Sequence, residues 1–366
     1  MSIKNFILSH SGQFNHYKNE STKLKKENKK LKKQLKNAKQ EIEDIKFSEE
    51  FEDGISIIIP SYKGENHIKP LLDSFEEQTL EFDKYEIIFI INGELDSTIN
   101  ILKDFAEKNK DMNVIITYTK TPGVSNARNI GLKIAKKQYT GFIDDDDFIS
   151  PNYLKSLYSH ASPNRVVMSD FVDVNEETGE EEQSPLRPFS AREHGVIKNA
   201  PVDFQSLSAI TTAKILPTYA AKSVKFNTEL KNGVDISYYS RLYPKFDFEF
   251  YLVDRKEDAK YYRLQRTGSI SRQNNSYEFN VLGRLKVIDD IDSMFKVTKN
   301  KKYIKYLKIR SAAQTGFIVR YLKEHPEDKE KVLKEIEKHN YNFFAYYRLE
   351  SMKVVNLKEE LNKKEE

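Results

Sequence analysis

Tyr139–Ser150 reads YTGFIDDDDFIS. Tyr139 to Ile143 is a short apolar, β-prone run, and four aspartates follow it directly: Asp144, Asp145, Asp146 and Asp147. Four adjacent carboxylates repel one another, and at the end of a buried strand such charge calls for a partner. A hard divalent cation with oxygen ligands is the natural one. A cation held by one or two carboxylates, with positions left open, suits a phosphate-bearing substrate. The competing reading is a solvated acidic turn that caps the helix opened by Pro151.

The chain ahead of this run alternates two patterns. Ile55–Pro60 (ISIIIP), Tyr85–Ile91 (YEIIFII) and Asn113–Tyr118 are apolar runs of strand length. Between them Glu65–Gln78, Leu95–Lys108 and Val124–Lys136 show helical periodicity, the last entered through the turn Pro122-Gly123. Strands buried on both faces and separated by helices predict an α/β layer fold with a mostly parallel sheet. Ligands in such folds bind beyond the carboxyl ends of the strands, where the aspartates stand. Neither GxGxxG nor GxxxxGK occurs, which argues against a dinucleotide-binding domain and a P-loop.

At 366 residues the chain has room for two domains, or one large core with appendages. A net charge of +4 over that length does not call for nucleic acid, and the absence of cysteine excludes disulfides, thiolate metal sites and cysteine nucleophiles. No apolar run approaches the ~20 residues of a membrane span, and Met1–Ser11 lacks a signal-peptide core. In residues 14–45, Leu24, Leu31, Ala38 and Ile45 fall at d of a heptad, and Asn28, Leu35 and Ile42 at a. This seam predicts a coiled-coil arm and a homo-oligomer, dimer or trimer. Its lysine-crowded outer faces suit peripheral contact with anionic lipid at the inner face of the plasma membrane, from the cytoplasm. The expected division is an arm over 1–50, an α/β body over 51–272 and a helical accessory domain over 273–366.

Past the aspartates, Arg165–Asp170 reads as a further strand and NEETGEEE (175–182) as a solvated hairpin tip, while residues 184–222 show little periodicity. Tyr261–Arg272 (YYRLQRTGSISR) reads as a basic, serine-rich loop after a strand. Helices are expected over Phe279–Phe295, Lys301–His325 and Asp328–His339, with Pro326 as a break; YNFFAYY (341–347) is read as packing. The seven histidines show no metal-ligand spacing.

In order and spacing, ISIIIPSYKGENHI, EIIFIINGELDST, TPGVSNARNIGLKIA and YTGFIDDDDFISPNYL resemble the GT-A glycosyltransferases of family 2. The resemblance implies a Rossmann-like GT-A catalytic domain and a nucleotide-sugar donor, UDP-linked. Asp144 matches the first aspartate of the family's DxDD element, on the ribose or uracil side of the donor, with Asp145 beside it. Asp146 matches the ligand of the Mn2+ or Mg2+ on the diphosphate, with Asp147 in support. Pro60 and Tyr62 match positions lining the uracil end, and Arg128 the arginine beside the base. Asn92 stands where the family commonly has a uracil-binding aspartate. FNTELKNGVDISYYSRLY (226–243) resembles the block that carries the catalytic base, which places that role on Asp235; Val234 replaces the usual preceding glutamate. In Tyr261–Arg272 the resemblance implies a loop over the diphosphate, with Arg263, Arg266 and Ser269 as phosphate contacts. The implied reaction is inverting, metal-dependent transfer to a polysaccharide, teichoic acid or lipid-linked acceptor. The alternative is a non-catalytic oligomeric scaffold on a degenerate sugar-nucleotide-binding fold, which Asn92 and Val234 favour.

Overall fold

In the computed structural model the described residues are 22–23, 25–31, 51–184, 194–198, 200–265 and 276–339. The chain divides into two units, Met1–Phe51 and Glu52–Glu366. In the first, the described residues 22–23 and 25–31 are helical and exposed, Leu31 at 57%. The rest of the heptad seam lies outside the described residues, as do YNFFAYY, Arg266 and Ser269.

The second unit is built on an eight-stranded sheet. Its first half consists of β1 (Glu52–Ser61), α1 (Lys69–Glu76), β2 (Tyr85–Asn92), α2 (Thr98–Lys108), β3 (Asn113–Thr119), α3 (Val124–Ile134) and β4 (Lys137–Phe142). β1 lies between β2 and β4 and is parallel to both, and β3 extends the sheet beyond β2. The chain thus runs outward from β1 to β3 and returns to β4 on the other side. That reversal leaves a crevice at the carboxyl ends of β1 and β4, where an open α/β sheet takes its ligand. Burial of both sheet faces explains the unbroken apolar runs: every residue of β2 is buried. Helix α3 lies close on β1 because residue 131 is glycine; a Cβ there would stand 2.3 Å from Ile58 Cγ2.

Two helices start later than their periodicity suggests. Pro70, with no N–H to give, is tolerated only in a first turn, so α1 opens at Lys69 and Gly64–Asn66 form a separate 3-10 turn. α2 opens at Thr98, where the Asp96 carboxylate accepts from both the Thr98 N–H and its hydroxyl.

Beyond β4 come β5 (Phe148–Ile149), α4 (Tyr153–Ser159), β6 (Arg165–Met168), β7 (Asp170–Asn175), β8 (Glu181–Gln183), β9 (Gly195–Val196), α5 (Gln205–Ala209), β10 (Lys214–Pro217), α6 (Thr218–Lys222), α7 (Val234–Leu242), β11 (Glu249–Leu252) and β12 (Lys260–Gln265). The large sheet has the order β3-β2-β1-β4-β10-β6-β11-β9, and a second sheet has the order β5-β12-β7-β8. The expected single strand Arg165–Asp170 breaks at Ser169. That residue bonds the Ala213 carbonyl, and the chain passes from the large sheet into the small one. Residues 260–265 are likewise strand and not loop, paired with β5 and β7. Three further helices follow a π turn at Glu278–Leu282: α8 (Gly283–Phe295), α9 (Lys301–Glu324) and α10 (Lys329–Lys338). Val281, Leu285, Ile288, Ile318, Val332 and Ile336 form their core, and α8 also packs on α7.

Candidate active site

The four aspartates occupy the turn that carries the chain from β4 in the large sheet to β5 in the small one. Their side chains separate into distinct tasks. Asp145 is held at the end of β1: its Oδ2 accepts from Ser61 Oγ at 2.6 Å and stands 3.3 Å from His67 Nε2. Asp147 is buried, its Oδ2 accepting from the Tyr261 hydroxyl at 2.6 Å and its Oδ1 from the Leu264 N–H at 3.0 Å. Burial, aided by the charges of Asp144 and Asp146, holds its carboxyl well above the usual range. Tyr261 accepts in turn from the Asp144 N–H at 3.1 Å, so β12 is locked beneath the turn.

Asp144 meets Arg128. The guanidinium, buried on the first turns of α3, donates through one amino nitrogen to Asp144 Oδ1 at 3.0 Å and through the other to Asp235 Oδ1 at 2.9 Å. Two carboxylates 91 positions apart (235 − 144) thus share one cation. Desolvation pushes the Asp144 carboxyl up to about 6; Arg128 pulls it down, and Asp146 and Asp235 push it up again. Those three carboxylates against one guanidinium are a hard-oxygen donor set with negative charge to spare. That is the chemistry a divalent cation requires, so Asp144 and Asp146 fit one. Among the described residues, no group of three or more His, Cys, Asp or Glu side chains is already gathered at metal-binding distance.

Asp235 lies in the first turn of α7, which Gly233 starts from the left-handed region (φ 61°). An amino-terminal carboxylate is favoured by the helix dipole. Its second oxygen accepts from the Thr211 N–H at 3.1 Å, and the side chain keeps 32% exposure, open to a substrate. The neighbouring Asn129 fixes the chain leading to α7 by exchanging two bonds with the backbone of Phe226, at 2.8 and 2.9 Å. Phe226 stacks on Tyr238 with ring centroids 3.9 Å apart.

At the mouth of the crevice Tyr62 is 50% exposed, its ring over Gly93 and close to Pro122: a Cβ on Gly93 would stand 2.9 Å from the ring and 3.4 Å from Pro122 Cβ. The ring offers a flat apolar surface to a base. Pro60 is buried in β1 opposite Ile90. Asn92 is buried and already bonded, donating to the Ser61 carbonyl at 2.8 Å and accepting from the Gly123 N–H at 2.9 Å. It ties β1 to the start of α3.

Residues 56–215 match the family described as glycosyl transferase family 2. Residues 56–215 are a family 2 glycosyltransferase domain. Among curated proteins, the poly(ribitol-phosphate) beta-glucosyltransferase of Bacillus spizizenii is 36% identical over 111 residues, 30% of this chain and 18% of that protein. The minor teichoic acid biosynthesis protein GgaB of Bacillus subtilis is 26% identical over 229 residues, 62% of this chain and 24% of that protein. The similarity thus spans less than a quarter of either relative. Among solved structures, residues 1–349 of S. aureus TarS in complex with UDP superpose with a TM-score of 0.55 at 20% identity, covering 74% of this chain and 72% of that one. The mannosyltransferase PcManGT from Pyrobaculum calidifontis, in complex with GDP-Man and Mn2+, gives 0.50 at 12% identity, covering 86% and 89%. These likenesses establish the GT-A fold.

Asp144 and Arg128 of the family 2 domain come together with Asp235, which lies beyond the matched residues, and Asp146 is close enough to bear on the charge of Asp144. Arg263 is placed elsewhere. Its guanidinium makes a bidentate pair with buried Asp173 across the β7–β12 ladder, at 2.9 and 2.7 Å, and lies over the Phe171 ring. Two residues escaped the sequence reading. Thr211 presents its N–H to Asp235, and Lys214 holds the turn that does so: its buried Nζ donates to the carbonyls of Leu207 at 2.6 Å, Ser208 at 3.2 Å and Ile210. Burial pushes its ammonium down to about 7, against an upward pull from Asp235. A lysine inside the apolar stretch Ile210–Pro217 was the one available signal. Lys214→Met leaves those carbonyls unmatched and is expected to cost about 2–3 kcal/mol in urea unfolding, since each orphaned buried acceptor costs about 1–3 kcal/mol. An unchanged denaturation midpoint would show that the turn holds itself.

Proposed function

We propose that the protein transfers a sugar from a UDP-linked nucleotide sugar to a hydroxyl of a teichoic-acid-type polyol-phosphate polymer, with inversion at the anomeric carbon. The observation that carries this reading is the bridge from Asp144 through Arg128 to Asp235. It sets a carboxylate open to solvent beside the aspartate run at the crevice where an α/β sheet binds its ligand. The teichoic acid relatives support the acceptor class, and the TarS complex with UDP supports the donor.

Asp235 then acts as base. The acceptor oxygen forms its bond to the anomeric carbon as the bond to the diphosphate oxygen breaks on the opposite face, and the hydroxyl proton passes to the Asp235 carboxylate. Arg128 and the Thr211 N–H hold that carboxylate aimed before the proton arrives. Tyr62 supports the base of the nucleotide. Asp146, with Asp144, would hold an Mn2+ or Mg2+ ion; when bound, it supplies positive charge against the leaving diphosphate. Asp147 supports the turn that presents both.

Purified protein incubated with Mn2+, a panel of nucleotide sugars and poly(ribitol phosphate) should release free UDP only when the acceptor is present. Nucleotide-sugar binding without release on any acceptor would favour the scaffold reading instead. The arm is the oligomerising element in this account, and a cytoplasmic place at the inner membrane face follows from its basic surface. Among the described residues no helix is long and apolar enough to cross a membrane. Removing residues 1–46 should leave a monomer by light scattering that keeps its intrinsic turnover; an unchanged mass would refute the coiled coil.

A further inference from the structure

Among the helices that follow β12 stands a buried cation with no acid beside it. Arg284, in the first turn of α8, is 6% exposed. Among the described residues its one hydrogen bond runs from Nη1 to the Gln314 side-chain oxygen at 3.0 Å, a neutral partner. Nε is sealed from solvent without a partner; Nη2 makes no bond either, and it is the nitrogen left open to solvent. The charge that bears on this group is of its own sign: burial, with the nearby Arg320, pushes the guanidinium down to about 10. Both arginines flank the Phe317 ring, their guanidinium carbons 3.8 Å and 5.4 Å from its centroid, and Phe279 lies 5.2 Å from Arg284. The rings offset part of the cost of burying a cation. They supply no counter-charge, and two like charges beside one ring call for one. Gly316 and Arg320 are exposed one turn apart on α9, and a Cβ on Gly316 would meet nothing within 4 Å, so the surface next to the pair is open.

The pair stands at the end of α7 that carries the base. Arg284 Nη1 lies 3.4 Å from where a Cβ on Gly233 would be, and Gly233 caps α7 two residues before Asp235. Two Cα–Cα steps of about 3.8 Å at most separate those residues, which puts Nη1 within about 13 Å of the Asp235 Cα. α8 also packs against α7, so the two groups are held in one frame. None of the four aspartates bears on the charge of Arg284, so the pair is set apart from the place of the donor diphosphate. We propose that Arg284 and Arg320 form an anion subsite that takes a phosphodiester of the acceptor, on the same chain that presents its hydroxyl to Asp235. The proposal rests on the transferase reading above and gives the acceptor's negative charge a place in it. Phosphate oxygens accept from the open N–H groups of the two arginines, and the partly exposed rings of Phe279 and Phe317 offer apolar surface to the polyol carbons.

The test is calorimetric titration of the full chain with a poly(ribitol phosphate) oligomer and, separately, with UDP and Mn2+. No nucleotide sugar is present, so binding is read without turnover. Arg320→Ala removes an exposed side chain and should raise the oligomer Kd about tenfold, the loss of one charge-assisted contact. Arg284→Gln should raise it at least as much; thermal melting checks that it folds, and Arg320→Ala carries the test alone if it does not. Lys286→Ala, which takes an exposed charge of the same sign from α8, should leave the oligomer Kd where it was. UDP affinity should hold in all three variants. A loss as large in Lys286→Ala would reduce the effect to general surface charge, and weakened UDP binding would give the arginines to the donor. Either result overturns the proposal, as does a wild type that binds no oligomer or an oligomer Kd that Arg320→Ala does not move. The two readings separate cleanly. If the oligomer binds through the arginines yet elicits no UDP release from any nucleotide sugar, the transferase reading fails and the anion subsite stands. If UDP is released and the arginine variants bind oligomer as the wild type does, the subsite fails and the transferase reading stands.

Discussion

Asp235→Asn should lower turnover by about 10²–10⁴-fold, the usual contribution of a positioned general base, while leaving donor affinity within about twofold. The substitution is close in size, and its one amide oxygen can keep one of the two bonds, from the Thr211 N–H or from Arg128. What it removes is the ability to take the acceptor's proton. Stability should move little, because the side chain is 32% exposed and the helix-start position tolerates asparagine well. UDP release with saturating acceptor is the measurement, with unfolding midpoints as the control for folding. Turnover that survives the change would assign the proton to another group, and the base role of Asp235 would have to be abandoned.

Arg128→Met should be the most damaging single change in the catalytic body. The guanidinium is buried, and Asp144 and Asp235 both lean on it. Removing the buried guanidinium takes the shared counter-charge from two carboxylates that keep 40% and 32% exposure. The cost is about 3 kcal/mol, the lower end for a broken buried pair, because water still reaches them. Asp144 and Asp235 would then face each other across the space Arg128 filled, with no cation between them. The expected result is a large loss of stability together with turnover below that of Asp235→Asn at any temperature where the variant is folded. Arg128→Lys should recover stability in part and activity poorly, since one ammonium cannot fork to two carboxylates. A wild-type unfolding midpoint in Arg128→Met would show that the bridge is incidental.

Much of this was written in local patterns. The four leading strands announced themselves as apolar runs because both faces of the sheet are covered, and the aspartates announced a charge that strand ends do not carry without a use. Asp235 was legible only through its block, since a single aspartate at a helix start is ordinarily a cap. The misplaced parts share one cause. Arg263 sits within a basic, serine-rich stretch, and its commitment to Asp173 exists only because β12 pairs in parallel with β7, 90 residues earlier. Asp147 is one of four identical letters, and nothing local distinguishes it; the difference is Tyr261, brought beneath it by the same strand. Asn92 at the site of a uracil-binding aspartate suggested altered base contacts, and its bonds to Ser61 and Gly123 come from the return of the chain to α3. Thr211 and Lys214 lie in a stretch without periodicity because a turn held by side chains leaves no repeat to read.

The central claim is that the aspartate run and Asp235 form one site around a cation and a diphosphate. Crystals of the full chain grown with UDP and Mn2+, measured above the manganese absorption edge, test it most directly. An anomalous peak is expected between the Asp146 carboxylate and the diphosphate oxygens, with Asp235 facing it from α7. Manganese bound away from Asp146, or UDP seated with no cation while Asp235 faces another surface, would contradict it.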